Sequence, residues 1–400
     1  MRTSARGFWI SIVVTAVALG CGRTPRPEDP KVAFGLELQR LVISAVVDHE
    51  AVPAAVAWVR VPSLDVEWQG AAGSADPGTG DAMTPDRPLR IASNTKTYIA
   101  ASVLRLQEQG RLDLDDPIAR HLPTDFVELL RTDGYRPEDI TVRHLLTHTA
   151  GLFDYADRVI YTDRIIADPT HRWTRREQVQ AAVDWGDPIG RPGEVYSYSD
   201  TAYILLGSIL EQVTGDPMPA AVRNLVGYAR LGLESTWFET LEPRPTHVPD
   251  IAHQYTGDAD ATLIDASTDL YGGGGIVTTV PELGRFTHAL FTGQVYADAR
   301  TLDTMLTTLE NLRLPHDGEV SHLPAGAYRM GVWVDEIDGL TTYWHTGFWG
   351  TAAVHVPSLG VTVAAAVTQN RERAVLIALV TDAVRLARDA TDTRLGSPDD

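Results

Sequence analysis

The chain has 400 residues, which is more than one small domain requires, and its hydrophobic content of 44% is ordinary for a globular protein. Its formal net charge of -19 argues against a nucleic-acid partner, because a polyanion would be repelled and no basic stripe offsets the negative charge. The 34 basic residues are all arginine except Lys31 and Lys96. Because a lysine amine in a dry pocket can lose its proton and an arginine cannot, Lys96 is a candidate for chemistry that needs an amine.

The amino terminus is predicted to be a targeting segment. Arg2 and Arg6 precede an apolar stretch, residues 8–19, that is too short to span a bilayer comfortably. The stretch is followed by Cys21, the only cysteine, so no internal disulfide can form. Small residues before a cysteine resemble a bacterial lipobox, in which the cysteine becomes the acylated N-terminus. An ordinary signal peptide with an incidental cysteine is the alternative.

These features give an expectation for the location of the protein. We expect residues 1–21 to be a lipoprotein signal peptide and residues 22–31, with three prolines, to be an extended tether. The protein would then be exported and held in the cell envelope by a lipid anchor on Cys21.

The elements that follow show strands at both ends of the chain and helices between them. A β-hairpin is predicted over residues 54–70 and a helix over 95–109, which Gly110 ends. Residues 112–260 are rich in loops and helices, the clearest helices being 142–147, 175–183 and 201–213. Strand patterns return at 330–337, 341–345, 351–356 and 361–368, before a closing helix at 373–388.

This order favours an α+β fold. A mostly antiparallel sheet, flanked by helices and built from both ends of the chain, would carry an inserted, mainly helical domain at about 112–260. The catalytic domain is expected to span 32–390, with a tail at 391–400. A cleft would form where the helical insert meets the sheet.

The strongest candidate for chemistry is the pair Ser93 and Lys96. If a helix begins near Ser93, the two side chains lie on one face, a turn apart. A serine hydroxyl becomes a useful nucleophile when a base within hydrogen-bond reach takes its proton, and a neutral lysine can serve. The alternative is that Ser93 only caps the helix and Lys96 is exposed.

Two further motifs lie downstream. Tyr198 and Asp200 precede a predicted helix, where a tyrosine facing the cleft can relay a proton; a packed aromatic and an N-cap are the alternatives. His345, Thr346 and Gly347 end a predicted strand. There glycine permits close approach of a substrate backbone, and the histidine and threonine can hold a carboxylate. A surface histidine at a strand end is the alternative.

Together the three motifs resemble those of the serine β-lactamase and penicillin-binding protein superfamily. They are Ser93-x-x-Lys96, Tyr198-x-Asp200 and His345-Thr346-Gly347, in that order. The chain is most similar to the branch that holds class C β-lactamases, Streptomyces-type D-Ala-D-Ala carboxypeptidases and related esterases. The segments 109–117, 144–152, 203–207 and 273–276 also look like that family's connecting segments, so the resemblance covers nearly all of the mature chain.

The resemblance implies an acyl-enzyme route without metal or cofactor. Ser93 would attack a carbonyl, Lys96 and Tyr198 would move protons, and the backbone N–H groups of Ser93 and Phe348 would bind the oxyanion. Such donors typically contribute about 3 kcal/mol each to transition-state stabilisation. Asp200, with the His345-Thr346-Gly347 motif, would contact a small-molecule or peptide substrate that bears a carboxylate, such as a cell-wall stem peptide.

Two positions depart from the family pattern. Asp200 replaces the usual asparagine, and an acid beside Lys96 would keep the amine protonated and oppose its use as a base. Either Tyr198 then carries the base role, or Asp200 points away as a cap. His345 replaces the lysine of most β-lactamases, which favours the carboxypeptidases and some esterases. It also predicts that carboxylate binding weakens as His345 loses its proton near about pH 6–7.

Other functions remain open at this point. His144 and His148 have the i, i+4 spacing of helical metal ligands, although no His-Glu-x-x-His is present. The glycines at 272–275 favour a tight turn over a phosphate site, because no Gly-Lys-Ser/Thr follows them. A sensor that acylates without turnover is a third possibility. Among substrates we rank D-Ala-D-Ala peptides first, esters second and β-lactams third.

Overall fold

The computed structural model describes residues 30–308 and 328–395. Cys21 and the predicted signal peptide lie outside the described residues, so the lipid anchor stays a prediction. Within the two described ranges, no helix is both long and apolar enough to cross a membrane.

A seven-stranded antiparallel sheet forms the centre of the molecule. Its strands are β1 (Ala54–Val61), β2 (Val66–Asp76), β3 (Asp81–Ala82), β9 (Trp333–Ile337), β10 (Leu340–Gly347), β11 (Thr351–Val356) and β12 (Val361–Val367). They are arranged in the order β3-β2-β1-β12-β11-β10-β9. The first and last strands pair directly, with Ala55 opposite Val367, so both ends of the chain meet in one sheet as predicted.

Five short strands lie outside this sheet. They are β4 (Leu89–Arg90), β5 (Trp237–Phe238), β6 (Tyr255–Thr256), β7 (Ala259–Asp260) and β8 (Ile276–Thr278). The order β4-β8-β5 makes a small sheet beside the start of the Ser93 segment, and β6 pairs with β7.

Twelve helices occur in the described part of the chain. They are α1 (Pro30–Val47), α2 (Thr95–Glu108), α3 (Thr124–Thr132), α4 (Val142–Leu146), α5 (Val159–Ala167), α6 (Arg175–Trp185), α7 (Asp200–Thr214), α8 (Met218–Val226), α9 (Tyr228–Leu231), α10 (Val280–Phe291), α11 (Ala299–Met305) and α12 (Arg373–Leu395). Helices α3 to α9 all fall in the range expected to form the helical insert. The α+β fold class is confirmed.

Helices cover both faces of the central sheet. On β1, Ala55, Ala57 and Val59 belong to the core formed with α1 and α12, whereas Ala54, Val56 and Trp58 belong to the core formed with α2 and α10. A strand buried on both faces needs apolar residues at every position, which explains the unbroken apolar run of β1.

The two ends of the described chain differ from the expectations. The tether was expected through residue 31, but α1 begins at Pro30, and proline suits the first position of a helix. The tail was expected from residue 391, but α12 continues to Leu395. Its last turns are anchored, because the Thr391 hydroxyl is buried, donates to the Ala387 carbonyl at 2.8 Å and lies 3.2 Å from the Ser63 hydroxyl.

Candidate active site

Ser93 lies on a strained turn that runs directly into α2. A single 3₁₀ turn, Ala92–Asn94, precedes the helix, and Ala92 has a left-handed φ of 43°. The N-cap position of α2 is Asn94 rather than Ser93, so the capping alternative for Ser93 is wrong. The hydroxyl of Ser93 instead accepts a hydrogen bond from Lys96 Nζ at 3.0 Å.

Lys96 is fully buried and its amine has three acceptors. Besides Ser93 Oγ, the amine donates to the carbonyl oxygen of Gly273 at 2.7 Å and to Asp200 Oδ1. Three acceptors match the three N–H groups of an ammonium ion. The geometry therefore describes a protonated amine.

Asp200 decides the protonation of Lys96. Burial alone would lower the pKa of Lys96, but the charge and hydrogen bond of Asp200, together with Tyr198 and Asp269, outweigh burial and raise the pKa above its ordinary value. Asp200 is the first residue of α7, and Ser199 occupies the N-cap position, so the capping alternative for Asp200 is wrong. An acid that contacts Lys96 leaves the base or relay role to Tyr198.

Tyr198 lies beside Ser93 and Lys96, and both side chains influence its hydroxyl. Lys96 Nζ also lies 4.9 Å from the centre of the Tyr198 ring. Burial raises the pKa of Tyr198 to about 12, although the Lys96 charge opposes this rise. Tyr198 is therefore a neutral phenol near neutral pH. The three predicted proton-handling side chains meet at one point.

Two more carboxyl groups surround this point, and the sequence analysis missed both. Asp154 Oδ1 accepts the backbone N–H of Asp200 at 3.2 Å, and burial together with the Asp200 charge raises the pKa of Asp154. Burial and the Asp200 charge also raise the pKa of Asp269 to about 6. Both residues come from loops far from the three motifs, so no local pattern pointed to them.

The glycine run 272–275 makes room for these acids. A Cβ on Gly273 would lie 2.9 Å from Asp200 Oδ1, and one on Gly274 would lie 2.0 Å from Asp269 Oδ1. Gly272 and Gly275 have φ values of 123° and 109°, as expected for a turn. The run is thus a turn, and it also forms a wall of the site, with its Gly273 carbonyl on Lys96.

The end of β10 closes the other side of the site. Gly347 approaches the Ser93 turn so closely that a Cβ there would lie 2.1 Å from the carbonyl oxygen of Ile91. Asn94 ties the same turn to β11, because its side chain donates to the Thr351 hydroxyl at 2.8 Å. Phe348 follows Gly347, with a side chain that is 61% exposed. These contacts bring the main chain of Phe348 close to that of Ser93.

His345 is buried and uncharged, which corrects the prediction made for it. Its Nδ1 donates to the Thr346 carbonyl at 2.8 Å, and its Nε2 lies 3.3 Å from the Tyr328 hydroxyl. Burial lowers the pKa of His345 to about 3, and the nearby Lys96 charge adds to the effect. His345 is therefore neither a surface histidine nor a cation for a carboxylate near pH 6–7.

A different cation lies beside the third motif. The Arg373 guanidinium, at the start of α12, donates to the Thr346 hydroxyl at 2.9 Å. In the described ranges no carboxylate oxygen lies within 4.0 Å of this guanidinium. The sequence analysis assigned Arg373 only to a helix, because its contact with Thr346 spans 27 positions of the chain.

The two candidate metal ligands do not share a helix. Helix α4 ends at Leu146, and His148 beyond it has a left-handed φ of 56°. His144 Nδ1 accepts the Thr141 N–H at 3.1 Å as part of the α4 cap. In the part of the chain that the structure describes, no group of three or more histidine, cysteine or acidic side chains is arranged to hold a metal ion.

This constellation defines a class of protein. A Ser-x-x-Lys turn at the head of one helix, a tyrosine before a second helix and a His-Thr-Gly strand end converge on one cleft, as in the serine β-lactamase and penicillin-binding protein superfamily. Within that class, the chain belongs to the Beta-lactamase family, whose profile matches residues 40–385.

Individual relatives have names of different kinds. The chain is 36% identical over 194 residues to the esterase EstB of Burkholderia gladioli, a match that covers 46% of this chain and 47% of EstB. It is 26% identical over 220 residues to PbpX of Bacillus subtilis (strain 168), which is named for penicillin binding; that match covers 54% of this chain and 49% of PbpX. The matches thus span about half the length of these relatives.

A solved structure gives a match over the whole fold. The D-stereospecific amidohydrolase from a Streptomyces species is 26% identical, with a TM-score of 0.71. The match covers 86% of this chain and 98% of the amidohydrolase.

Proposed function

We propose that the protein is a hydrolase that works through an acyl-enzyme on Ser93. The observation that carries the proposal is the convergence of three side chains: the Ser93 hydroxyl accepts a hydrogen bond from Lys96 at 3.0 Å, and Lys96 Nζ lies 4.9 Å from the centre of the Tyr198 ring. A hydroxyl in such a position can lose its proton as it attacks a carbonyl carbon.

Lys96 and Tyr198 have different parts in this mechanism. The Lys96 ammonium supplies positive charge that favours the oxygen of Ser93 as it becomes negative. Tyr198, a neutral phenol, takes the Ser93 proton while it gives its own proton to the leaving oxygen or nitrogen. The bond from Ser93 Oγ to the carbonyl carbon forms, the bond to the leaving group breaks, and water later repeats the sequence on the ester.

The preferred substrate is a peptide that ends in D-Ala-D-Ala. Thr346 and the Arg373 guanidinium next to it offer a hydroxyl and a charged fork to a terminal carboxylate at the end of β10. Peptides of this kind carry that carboxylate next to the scissile bond. The expected partner is therefore the stem peptide of the cell wall.

A simple ester is the second candidate substrate. Phe348 is exposed by 61% of its area and directly follows the Gly347 that contacts the Ser93 turn. An apolar rim favours an uncharged acyl or alcohol group. The likeness to EstB, an esterase, supports the same reading of the site.

A substrate panel separates these candidates. A D-Ala-D-Ala peptide, p-nitrophenyl acetate and nitrocefin are assayed with the wild type, Ser93→Ala and Ser102→Ala. Ser102 is the matched control, because it lies in α2 but bonds only to the Tyr98 carbonyl. We expect Ser93→Ala to abolish every activity that Ser102→Ala retains. Hydrolysis that survives in Ser93→Ala would overturn the proposal.

A labelling experiment on the same variants tests the alternative that the protein is acylated without turnover. A fluorescent penicillin labels Ser93 in either case, but only a hydrolase loses the label over hours.

We further propose that the protein is an exported lipoprotein acylated on Cys21. Incorporation of labelled palmitate into the wild type but not into Cys21→Ser tests this, and equal labelling of the two would contradict it.

A further inference from the structure

His148 holds the chain on both sides of Tyr198. Its carbonyl oxygen accepts the backbone N–H of Ser197 at 2.9 Å, and its ring Nδ1 accepts the backbone N–H of Ser199 at 3.1 Å. The two residues that flank Tyr198 are therefore both bonded to one histidine.

The imidazole ring also packs on Tyr198 itself. The two ring centres are 4.2 Å apart, and the imidazole centre lies 4.6 Å from that of Tyr328 and 5.1 Å from that of Tyr203. His148 is 1% exposed, and its Nε2 has no hydrogen-bond partner among the described residues. A buried polar atom without a partner costs free energy, so some other contact of this side chain must compensate for it.

The backbone of His148 is also unusual. Its φ of 56° is in the left-handed region, which only a few per cent of residues other than glycine adopt. The strain has a use, because this conformation presents the main-chain carbonyl and the ring Nδ1 of one residue to the same neighbouring segment. An accepting Nδ1 also requires the proton to be on Nε2, so the ring is neutral.

We propose that His148 is a positioning residue that fixes the Tyr198 phenol over Ser93 and Lys96 by accepting the N–H groups on either side of it. This inference rests on the proposed acyl-enzyme function. A tyrosine ring swings about its own backbone, so a segment held at positions 197 and 199 leaves the hydroxyl little freedom. Catalytic groups displaced by about 1 Å can lose about a hundredfold in rate.

Two variants divide the contributions of His148. His148→Asn keeps an acceptor at the position of Nδ1 and suits the left-handed backbone, but it loses the ring. His148→Phe keeps a ring and loses the acceptor, so the Ser199 N–H is left without a partner. His144→Asn is the matched control, since His144 Nδ1 accepts only from Thr141 and has no contact with Tyr198.

The assay is hydrolysis of p-nitrophenyl acetate, with active sites counted by the initial burst and folding followed by Tm. We expect His148→Phe to lose about 30-fold or more in kcat per active site while KM changes by less than about threefold. His148→Asn is expected to recover most of that kcat, even where its Tm is lower because of the cavity. His144→Asn should resemble the wild type.

A wild-type kcat per active site in His148→Phe would overturn the positioning role, as would a loss that follows only the folded fraction. Ser93→Ala, assayed in parallel, distinguishes this failure from failure of the proposed function. If Ser93→Ala keeps the activity, the acyl-enzyme proposal fails, whatever the His148 variants do.

Discussion

A buried ammonium that donates to three acceptors has no lone pair for a serine proton. In this site Lys96 donates to Ser93, Asp200 and the Gly273 carbonyl, so its effect on Ser93 is electrostatic. In the proposed mechanism, Tyr198 rather than Lys96 therefore transfers the proton, because Asp200 stands where the family usually has asparagine. An acid at this position changes which side chain performs the step.

Substitution of Asp200 tests whether Tyr198, and not Lys96, transfers the Ser93 proton. Asp200→Asn keeps an oxygen acceptor for Lys96 but removes a charge that raises its pKa, so the buried amine loses its proton more easily and can help to accept the Ser93 proton. We expect kcat/KM to stay within about tenfold of the wild type or to improve. Asp216→Asn, at the exposed end of α7, is the control. A loss of more than about a hundredfold would show that the acid itself is required.

Substitution of Arg373 tests whether its guanidinium binds the substrate carboxylate. Arg373→Gln removes the cation next to Thr346, so we expect KM for a D-Ala-D-Ala peptide to rise about 10- to 100-fold. p-Nitrophenyl acetate has no carboxylate and should be hydrolysed as before. Arg371→Gln, an exposed arginine of the same segment, is the control.

The pH dependence of binding distinguishes Arg373 from His345. A guanidinium stays charged and His345 stays neutral, so KM for the peptide should be flat between about pH 5 and 8. A KM that rises steeply near about pH 6.5 would instead show that a protonated His345 binds the substrate carboxylate.

The site contacts found only in the structure share one property. The three motifs together, through their resemblance to the family, were enough to predict Ser93, Lys96 and Tyr198, whereas each local motif alone left an alternative open. His148, Asp154 and Asp269 reach the site through contacts with residues 46 or more positions away, or through the glycine wall. The spacing of residues in the sequence gives no information about such long-range contacts. The charge state of His345 was wrong for the same reason, because its burial depends on Tyr328 and Lys96.

At the scale of elements, the approach of β10 to the Ser93 turn is the critical contact. The family role of Phe348 is a main-chain one, so its side chain should be replaceable. Gly347 has no such freedom, because the Ile91 carbonyl occupies the place of a Cβ.

We expect Gly347→Ala to lose about a hundredfold or more in kcat/KM, since the strand end must move away from Ser93. Phe348→Ala should stay within about fivefold on p-nitrophenyl acetate, because it keeps the N–H. Circular dichroism and Tm confirm that both variants fold. Equal activities in the two variants would contradict the proposed oxyanion site.

Strands with unbroken or alternating apolar patterns were predicted well, and β11 matches residue for residue. The short strands β4, β5 and β8 were missed, because two or three residues carry no period. Helix α1 was also missed, although Phe34, Leu38 and Val42 repeat every four residues and are buried on the sheet. The sequence pattern for α1 was present, whereas that for the short strands was absent.

For the whole molecule, buried neutral histidines link stability to pH. His355 is 2% exposed, and its Nδ1 lies 2.8 Å from the Thr362 hydroxyl, which His288 also contacts at 3.0 Å. Burial lowers the pKa of His355 to about 4, and His288 adds to this effect. The unfolded chain therefore binds a proton that the folded chain excludes as pH falls below about 6.5.

A difference measurement isolates this contribution. The stabilisation by neutral His355 is present above about pH 6.5 and is lost as pH falls towards about 4, by up to about 3 kcal/mol. The gap in free energy of unfolding between the wild type and His355→Asn should therefore shrink over this interval in urea titrations. His247→Asn, at an exposed histidine, is the control. A gap independent of pH would refute the assignment.

The pairing of β1 with β12 has a consequence for synthesis. Ala54 and Thr368 bond to each other across 314 positions, in the middle of the sheet. While the ribosome makes the chain, one edge of β1 stays unpaired until β12 has been made. Such distant closure is slow and leaves apolar edges open to aggregation. Correct maturation of this protein therefore depends on how well the hairpin of β1 and β2 is shielded until β12 has been made.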